Sequence, residues 1–353
     1  MTQSLALART SLADAFQPKA NALNAIRLVL ATGVIIWHSF PLTGNEMGAG
    51  PLRQLLANVW VDGFFAISGY LIVSSWMRRP EWWAFLRARF LRILPGFYVC
   101  LIVTAAVLAP VALVLSGRQF PPDFWTEGVG YVLRNATLRM TQFDIAGTPL
   151  QVPYPGVWNG SLWTLWWEFL CYLGVLALGV SGAIRWRWVL PAAFALSLVA
   201  VLATSYGPVD NYFVVKGGRF GIMFLSGALV YRFQHRIPAS WPLVGTAFAV
   251  AIAAAWLPDY RAVAALPLAY ALIVSGALLR SPVFWFRNDV SYGIYIYAFP
   301  LQQCLALFGA AALGVPLFAV LSIALTVPFA MASWFWIERP SVQLRKRAHP
   351  SPA

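Results

Sequence analysis

Residues 23–40 read Leu23-Asn-Ala-Ile-Arg27-Leu-Val-Leu-Ala-Thr-Gly-Val-Ile-Ile-Trp37-His38-Ser-Phe40, an apolar run broken by one arginine near its start and one histidine near its end. At about 100° per residue, eleven steps come to within about 20° of three full turns, so Arg27 and His38 project from one face of a helix, roughly 16 Å apart along its axis. The run has the length and apolarity of a membrane span. An ionisable side chain inside hydrocarbon costs on the order of 3 kcal/mol or more, which marks both residues as functional candidates. The reading is of an enzyme site built inside a membrane.

Composition places the whole chain in the same class. Of 353 residues 60% are hydrophobic and only 10% charged, against about 25% charged in a soluble domain. Seventeen Trp and 24 Phe supply the aromatic belts and packing of a bilayer protein. The net charge of +13 is spread between long apolar runs, so it reads as topology signals and contacts to anionic lipid or phosphate, not as a nucleic-acid surface. Cys100, Cys171 and Cys304 lie in apolar segments without CxxC spacing, so neither a disulfide nor a metal site is expected. Residues 1–22 lack the apolar core of a cleaved signal peptide, and the first span is expected to serve as an uncleaved anchor.

Apolar runs of about 17–25 residues predict ten spans, near 23–41, 57–77, 95–115, 160–181, 188–206, 217–233, 241–257, 262–279, 289–309 and 314–337. The fold class expected is an all-α, polytopic membrane helix bundle with both termini cytoplasmic. In that orientation seventeen Lys and Arg face the cytoplasm and seven face outward, with Arg27 at the boundary, in keeping with the positive-inside bias. The domains are then a cytoplasmic segment 1–22, a transmembrane domain 23–340 and a basic cytoplasmic tail 341–353. The longest external stretch, 116–159, is rich in Pro and Gly. A loop of that length is usually functional or partly folded, and its 139–159 half is a candidate cover for an outward opening.

Three acid or base groups fall within spans at overlapping depths. His38, Asp62 and Glu168 sit about 5, 8 and 12 Å inside the outer ends of the first, second and fourth spans. Groups of this kind in lipid face each other or a watered cavity, and imidazole beside carboxylate is the usual general-base arrangement. Glu168 shares i, i+3, i+7 spacing with Ser161 and Thr164, a predicted polar stripe down the fourth span, with Trp163 on another face. On the cytoplasmic side Arg89 and Arg92 are three residues apart among aromatics. Guanidinium groups there suit a ligand bearing several phosphates. Gly217 and Gly221 have the GxxxG spacing of close helix packing.

Taken in order, these segments resemble the acyltransferase-3 family of integral-membrane acyltransferases. The resemblance runs over about residues 21–345. It rests on Asn21-Ala-Leu-Asn-Ala-Ile-Arg27 through Trp37-His38, Val61-Asp62-Gly-Phe-Phe-Ala-Ile-Ser-Gly-Tyr70, Arg89-Phe-Leu-Arg92-Ile-Leu-Pro95 and Ser161-Leu-Trp-Thr-Leu-Trp-Trp-Glu168. Ser291-Tyr292-Gly-Ile-Tyr295 and Trp336-Ile-Glu-Arg-Pro340 complete it. Many members carry a histidine where this chain has Ala298, which leaves His38 as the one histidine within a span.

The resemblance implies transfer of an acyl group, often acetyl, from cytoplasmic acyl-CoA to a hydroxyl of an extracytoplasmic or lipid-linked glycan. It implies a bacterial inner-membrane location, acyl-CoA as co-substrate, no metal or other cofactor, and no nucleic-acid partner. His38, Glu168 and Asp62 are then the catalytic candidates, with His38 as general base or acyl carrier. Arg27, Arg89 and Arg92 hold acyl-CoA, and Ser161, Trp163, Tyr292 and Tyr295 line the substrate pocket. A transporter or flippase for a glycan or amphipathic solute is the alternative that a ten-span bundle with polar stripes also allows. The absence of an inverted repeat speaks against it.

Overall fold

The computed structural model describes residues 10–286 and 288–347, with only the backbone of 345–347. Arg9, Arg287 and His349, and the end of the basic tail, lie outside the described residues. Among those residues the chain is helical, with two isolated bridges and no strand. It is an all-α, multi-pass membrane bundle.

Seven of the ten expected spans are helices long and apolar enough to cross a membrane: α1 (Leu23–Leu42), α2 (Pro51–Arg78), α3 (Trp82–Leu115), α6 (Val189–Tyr206), α7 (Tyr212–Arg232), α9 (Arg261–Leu278) and α11 (Val315–Leu344). Between α3 and α6 lie α4 (Phe124–Asn135), inside the long loop, and the short α5 (Thr164–Val180). The other two expected spans are the short α8 (Trp241–Trp256) and α10 (Ser291–Leu307). At 17 residues, α5 and α10 each run about 25 Å, less than the ~30 Å hydrocarbon thickness. Nearly every residue of α10 is buried, so protein rather than lipid surrounds it.

Two of the boundaries that move bear on the site. The third span was expected from residue 95, but α3 starts at Trp82 and carries Arg87, Arg89 and Arg92 on its first turns. The fourth was expected from residue 160, whereas α5 starts at Thr164, leaving Ser161 and Trp163 in the preceding turn. Both α3 and α11 contain one wide π turn, at Thr104–Leu108 and Trp334–Glu338. Such turns are frequent at functional sites.

The chain forms two compact units. One comprises Met1–Arg27, Gly50–Arg78 and Ala177–Arg287; the other comprises Leu28–Ala49, Arg79–Leu176 and Asn288–Ala353. In the first, glycines set the packing. A Cβ added at Gly69 would collide with the Phe224 carbonyl, and one at Gly227 with the Ala66 carbonyl. The backbones of α2 and α7 therefore touch, as small residues permit in membranes. Gly218 and Gly221 lie against Ala200 and Ser197 of α6; of the Gly217–Gly221 pair read from the sequence, Gly221 makes this contact. Gly227→Leu is expected to destabilise the protein by about 3 kcal/mol, the range of severe overpacking. A wild-type melting temperature for the detergent-solubilised variant would contradict that contact.

Residues 11–16 also belong to the first unit. Ser11 caps a single turn, Leu12–Ala15, and the Leu12 amide donates to the Ile237 carbonyl.

In the second unit α10 is the central element. Gly293 lies on Ala330 of α11. The loop after α4 folds over the other end of α10, with Trp158 fully buried and its indole N–H donating to Thr148 Oγ1 at 3.0 Å. The loop read from the sequence as a candidate cover is thus an ordered structure.

Candidate active site

α1 is unbroken from Leu23 to Leu42, so the eleven-residue spacing of Arg27 and His38 is a helical spacing. Inside hydrocarbon its hydroxyls turn back on the helix: Thr32 Oγ1 donates to Leu28, Ser39 Oγ to Ile35 and Thr43 Oγ1 to Ser39. His38 has no such local outlet. Its ring is half-buried and stands edge-on to Phe299, with centroids 5.0 Å apart and an interplanar angle of 76°. Its Nδ1 is buried without a hydrogen-bond partner.

One face of α10 positions this imidazole. Tyr292, Tyr295, Phe299 and Gln302 recur at i, i+3, i+7 and i+10 and so form one stripe. Gln302 Nε2 donates to Ser39 Oγ and to the Ile35 carbonyl, each at 3.1 Å, which clamps α1 one residue from His38. Phe299 supports the ring itself. Tyr295 OH donates to the Ser161 carbonyl at 2.9 Å and shares a 2.5 Å hydrogen bond with Thr164 Oγ1. Asn159 caps the Ser161 amide and donates to the Ile296 carbonyl. These bonds hold the entry to α5 on α10 and explain why the helix begins at Thr164. Ser161 Oγ is buried there with no partner, and Trp163 is half-buried beside it.

At the start of the stripe, roughly 10 Å from Phe299 by helical rise, Tyr292 OH donates to the Ile93 carbonyl of α3. Here Arg92 meets two carboxylates, Asp289 at 2.6 Å and Glu338 at 3.1 Å, and its guanidinium lies over the rings of Tyr292 and Trp334. Ser291 and Ser333 donate to the remaining oxygens of Asp289 and Glu338. The π turn of α11 carries Glu338 into this cluster. Arg92, expected to grip phosphate, therefore spends two of its forks on carboxylates. Glu338 is 1% exposed, so Glu338→Gln leaves the guanidinium partly uncompensated. A loss of about 3 kcal/mol, at the lower end for a broken buried pair, is expected as a lower melting temperature in detergent.

Nδ1 of His38 has no hydrogen-bond partner, so no carboxylate fixes the ring through that nitrogen. Glu168 accepts a hydrogen bond from Tyr172 OH at 2.5 Å, one turn along α5, and the Arg89 guanidinium lies over the Tyr172 ring. The carboxylate thus belongs to a group that includes Arg89. In the other unit, Asp62 is fully buried and its oxygens take Arg261 Nε at 2.6 Å, Tyr260 OH at 2.5 Å and Arg219 Nε at 3.4 Å. Arg261 also forks onto Asp259. Burial, reinforced by the Asp62 charge, pushes the Tyr260 hydroxyl well above its ordinary pKa, which keeps it a donor. Arg27 is in the same unit as Asp62, its guanidinium over the ring of Phe64.

Sequence reasoning missed Asp289, Glu338, Tyr172, Phe299 and Gln302. Glu338 carried a signal, being a carboxylate at the edge of a predicted span. Phe299 and Gln302 carried none, because an apolar or amide residue in a span does not announce which helix it meets. Among the described residues no group of three or more His, Cys, Asp or Glu is placed to hold a metal ion.

Comparison with known proteins gives this arrangement its family. The signature of the acyltransferase domain, acyltransferase type 3, matches residues 20–335. The chain belongs to the acyltransferase-3 family. It is similar to the O-acetyl transferase of Shigella phage Sf6, 27% identical over 295 residues that cover 81% of this chain and 85% of that one. It is also similar to Nodulation protein 10 of Rhizobium leguminosarum bv. viciae, 27% identical over 360 residues, 92% and 94% of the two chains. No solved structure matches. As a member of the acyltransferase-3 family this chain is an integral, multi-pass membrane acyltransferase, and both Arg27 and His38 lie within the matched residues.

Proposed function

We propose that this acyltransferase moves an acetyl or similar small acyl group from acyl-CoA to a hydroxyl of a glycan, in the inner membrane of a bacterium with the basic ends of its helices facing the cytoplasm. The observation that carries the proposal is His38: an imidazole within a span, held by neighbouring packing, whose Nδ1 has no partner of its own. The likeness to the O-acetyl transferase of Shigella phage Sf6 supports O-acetyl transfer.

The chemistry runs on this ring. The acceptor hydroxyl gives its proton to the imidazole as its oxygen attacks the thioester carbonyl. The carbon–sulfur bond breaks, and the CoA thiolate leaves with the proton that the imidazolium returns. In the covalent variant the imidazole attacks first and carries the acyl group to the acceptor. Phe299 and the Gln302 clamp fix the direction of the ring. Glu168 acts at one remove, orienting Tyr172 beneath Arg89, and Asp62 secures its own unit.

The test is turnover of acetyl-CoA labelled in the acetyl group by the purified protein in nanodiscs with a surface glycan preparation. Release of free CoA thiol together with label in the glycan supports the proposal. Binding of acetyl-CoA or glycan without turnover overturns it in favour of transport.

A further inference from the structure

α1, the helix that carries His38, starts in a cleft that the mechanism above does not use. The cleft has a volume of about 290 Å³ and lies wholly within one unit. Phe16, Trp285 and Phe286 give it aromatic walls, Lys19 and Arg78 bring two positive charges, and Asn24 of α1 faces it as well. No carboxylate is among the described residues that line it. Its shape is fixed by bonds at the helix start. Asn21 Oδ1 caps the Leu23 amide, the Ala22 amide donates to the Gly276 carbonyl, and Asn24 Nδ2 donates to the Phe286 carbonyl.

We propose that this cleft at the head of α1 binds the nucleotide end of the acyl donor. Cationic side chains at the positive end of a helix favour phosphate, and flat aromatic walls favour a purine by stacking, with the guanidinium of Arg78 adding attraction to both. A phosphate alone would need the cations but not three aromatic rings. The helix supplies the connection. Arg27 is one turn past Leu23 and Asn24, and His38 is fourteen residues past Asn24, about 21 Å along the same rod. Pantetheine is a slender arm, so a nucleotide seated here directs it along α1 past Arg27. The assignment rests on the acyl-CoA reading above. It moves the donor's phosphates from Arg92, whose forks hold Asp289 and Glu338, to Lys19 and Arg78.

The test compares two donors on the full-length protein in nanodiscs: acetyl-CoA, and S-acetylpantetheine, which keeps the thioester arm but lacks the nucleotide. Lys19→Glu and Trp285→Ala change side chains at the mouth of the cleft. Each is expected to raise KM for acetyl-CoA about tenfold, equivalent to one decade in affinity, with kcat within about twofold. Turnover of S-acetylpantetheine stays at the wild-type rate. Adenosine 3′,5′-bisphosphate should bind the wild-type protein in calorimetry and bind each variant about tenfold more weakly. Unchanged KM and unchanged nucleotide binding in both variants, on a wild-type protein that turns over acetyl-CoA, overturn the cleft assignment alone. Equal losses with both donors overturn it too. So does a variant whose only change is reduced dependence on phosphatidylglycerol, which would make the cleft a lipid-headgroup site. A wild-type protein that turns over neither donor overturns the acyl-CoA reading and this one with it.

Discussion

Replacing His38 with alanine is expected to lower acyl transfer by about a hundred- to ten-thousand-fold, the contribution of a positioned general base, and further if the ring also carries the acyl group. The protein itself should be nearly undisturbed. The ring makes an edge contact with Phe299 and its Nδ1 holds no hydrogen bond, while the clamp from Gln302 falls on Ser39 and Ile35. The checks are CoA release and the melting temperature of the same purified sample. His38→Gln should be equally inactive, because an amide of similar reach cannot accept the proton. Mass spectrometry of wild-type protein mixed with acetyl-CoA and no acceptor separates the two routes: acetyl mass on the peptide containing His38 marks the covalent one. A stable, fully active alanine variant would end the assignment.

Asp62→Ala is expected to act in the opposite way, on folding and not on chemistry. The carboxylate is buried against Arg261, Arg219 and Tyr260. Removing it leaves a buried guanidinium short of its counter-charge, a loss of about 3–5 kcal/mol. Much of a membrane protein of ordinary stability would then fail to accumulate. The surviving folded fraction should keep kcat within a few-fold of the wild type, measured per mole of monodisperse protein. If instead Asp62→Ala accumulates at wild-type level with a wild-type melting temperature and no activity, Asp62 belongs with His38 in catalysis.

The sequence revealed the helices more readily than their neighbours. Each of the ten apolar runs falls on a helix, seven of them long and apolar enough to cross a membrane, because hydrocarbon selects such runs directly. The eleven-residue interval in α1 revealed Arg27 and His38 because helical pitch is a local property. Partner choice is not local. Three ionisable groups at similar depth suggested one cluster, yet Asp62 goes to arginines 157 and 199 residues further along the chain, and Glu168 finds Tyr172 one turn away. Depth in a bilayer gives one coordinate; lateral position comes from packing between helices. The Ser161 stripe failed for a related reason. Its spacing is helical, but the bond its carbonyl accepts from Tyr295 and the bond its amide donates to Asn159 Oδ1 hold that residue in a turn. Arg92 shows the converse: its place beside Arg89 suggested a phosphate ligand, and its two acidic partners lie 246 and 197 residues away along the chain.

The ordered loop over the end of α10 divides the labour of the molecule. Gln303 donates to the Tyr154 and Val157 carbonyls, and the Tyr154 ring stands edge-on to Phe299, whose other contact is the imidazole. The Tyr154 ring of the loop and the Phe299 ring of α10 thus stand in sequence before the imidazole. Loops tolerate sequence change while the helices beneath them hold their shape. On the reading proposed above, acceptor preference is a property of residues 139–159 that can be changed without rebuilding the helices, much as interchangeable bits fit a common drill.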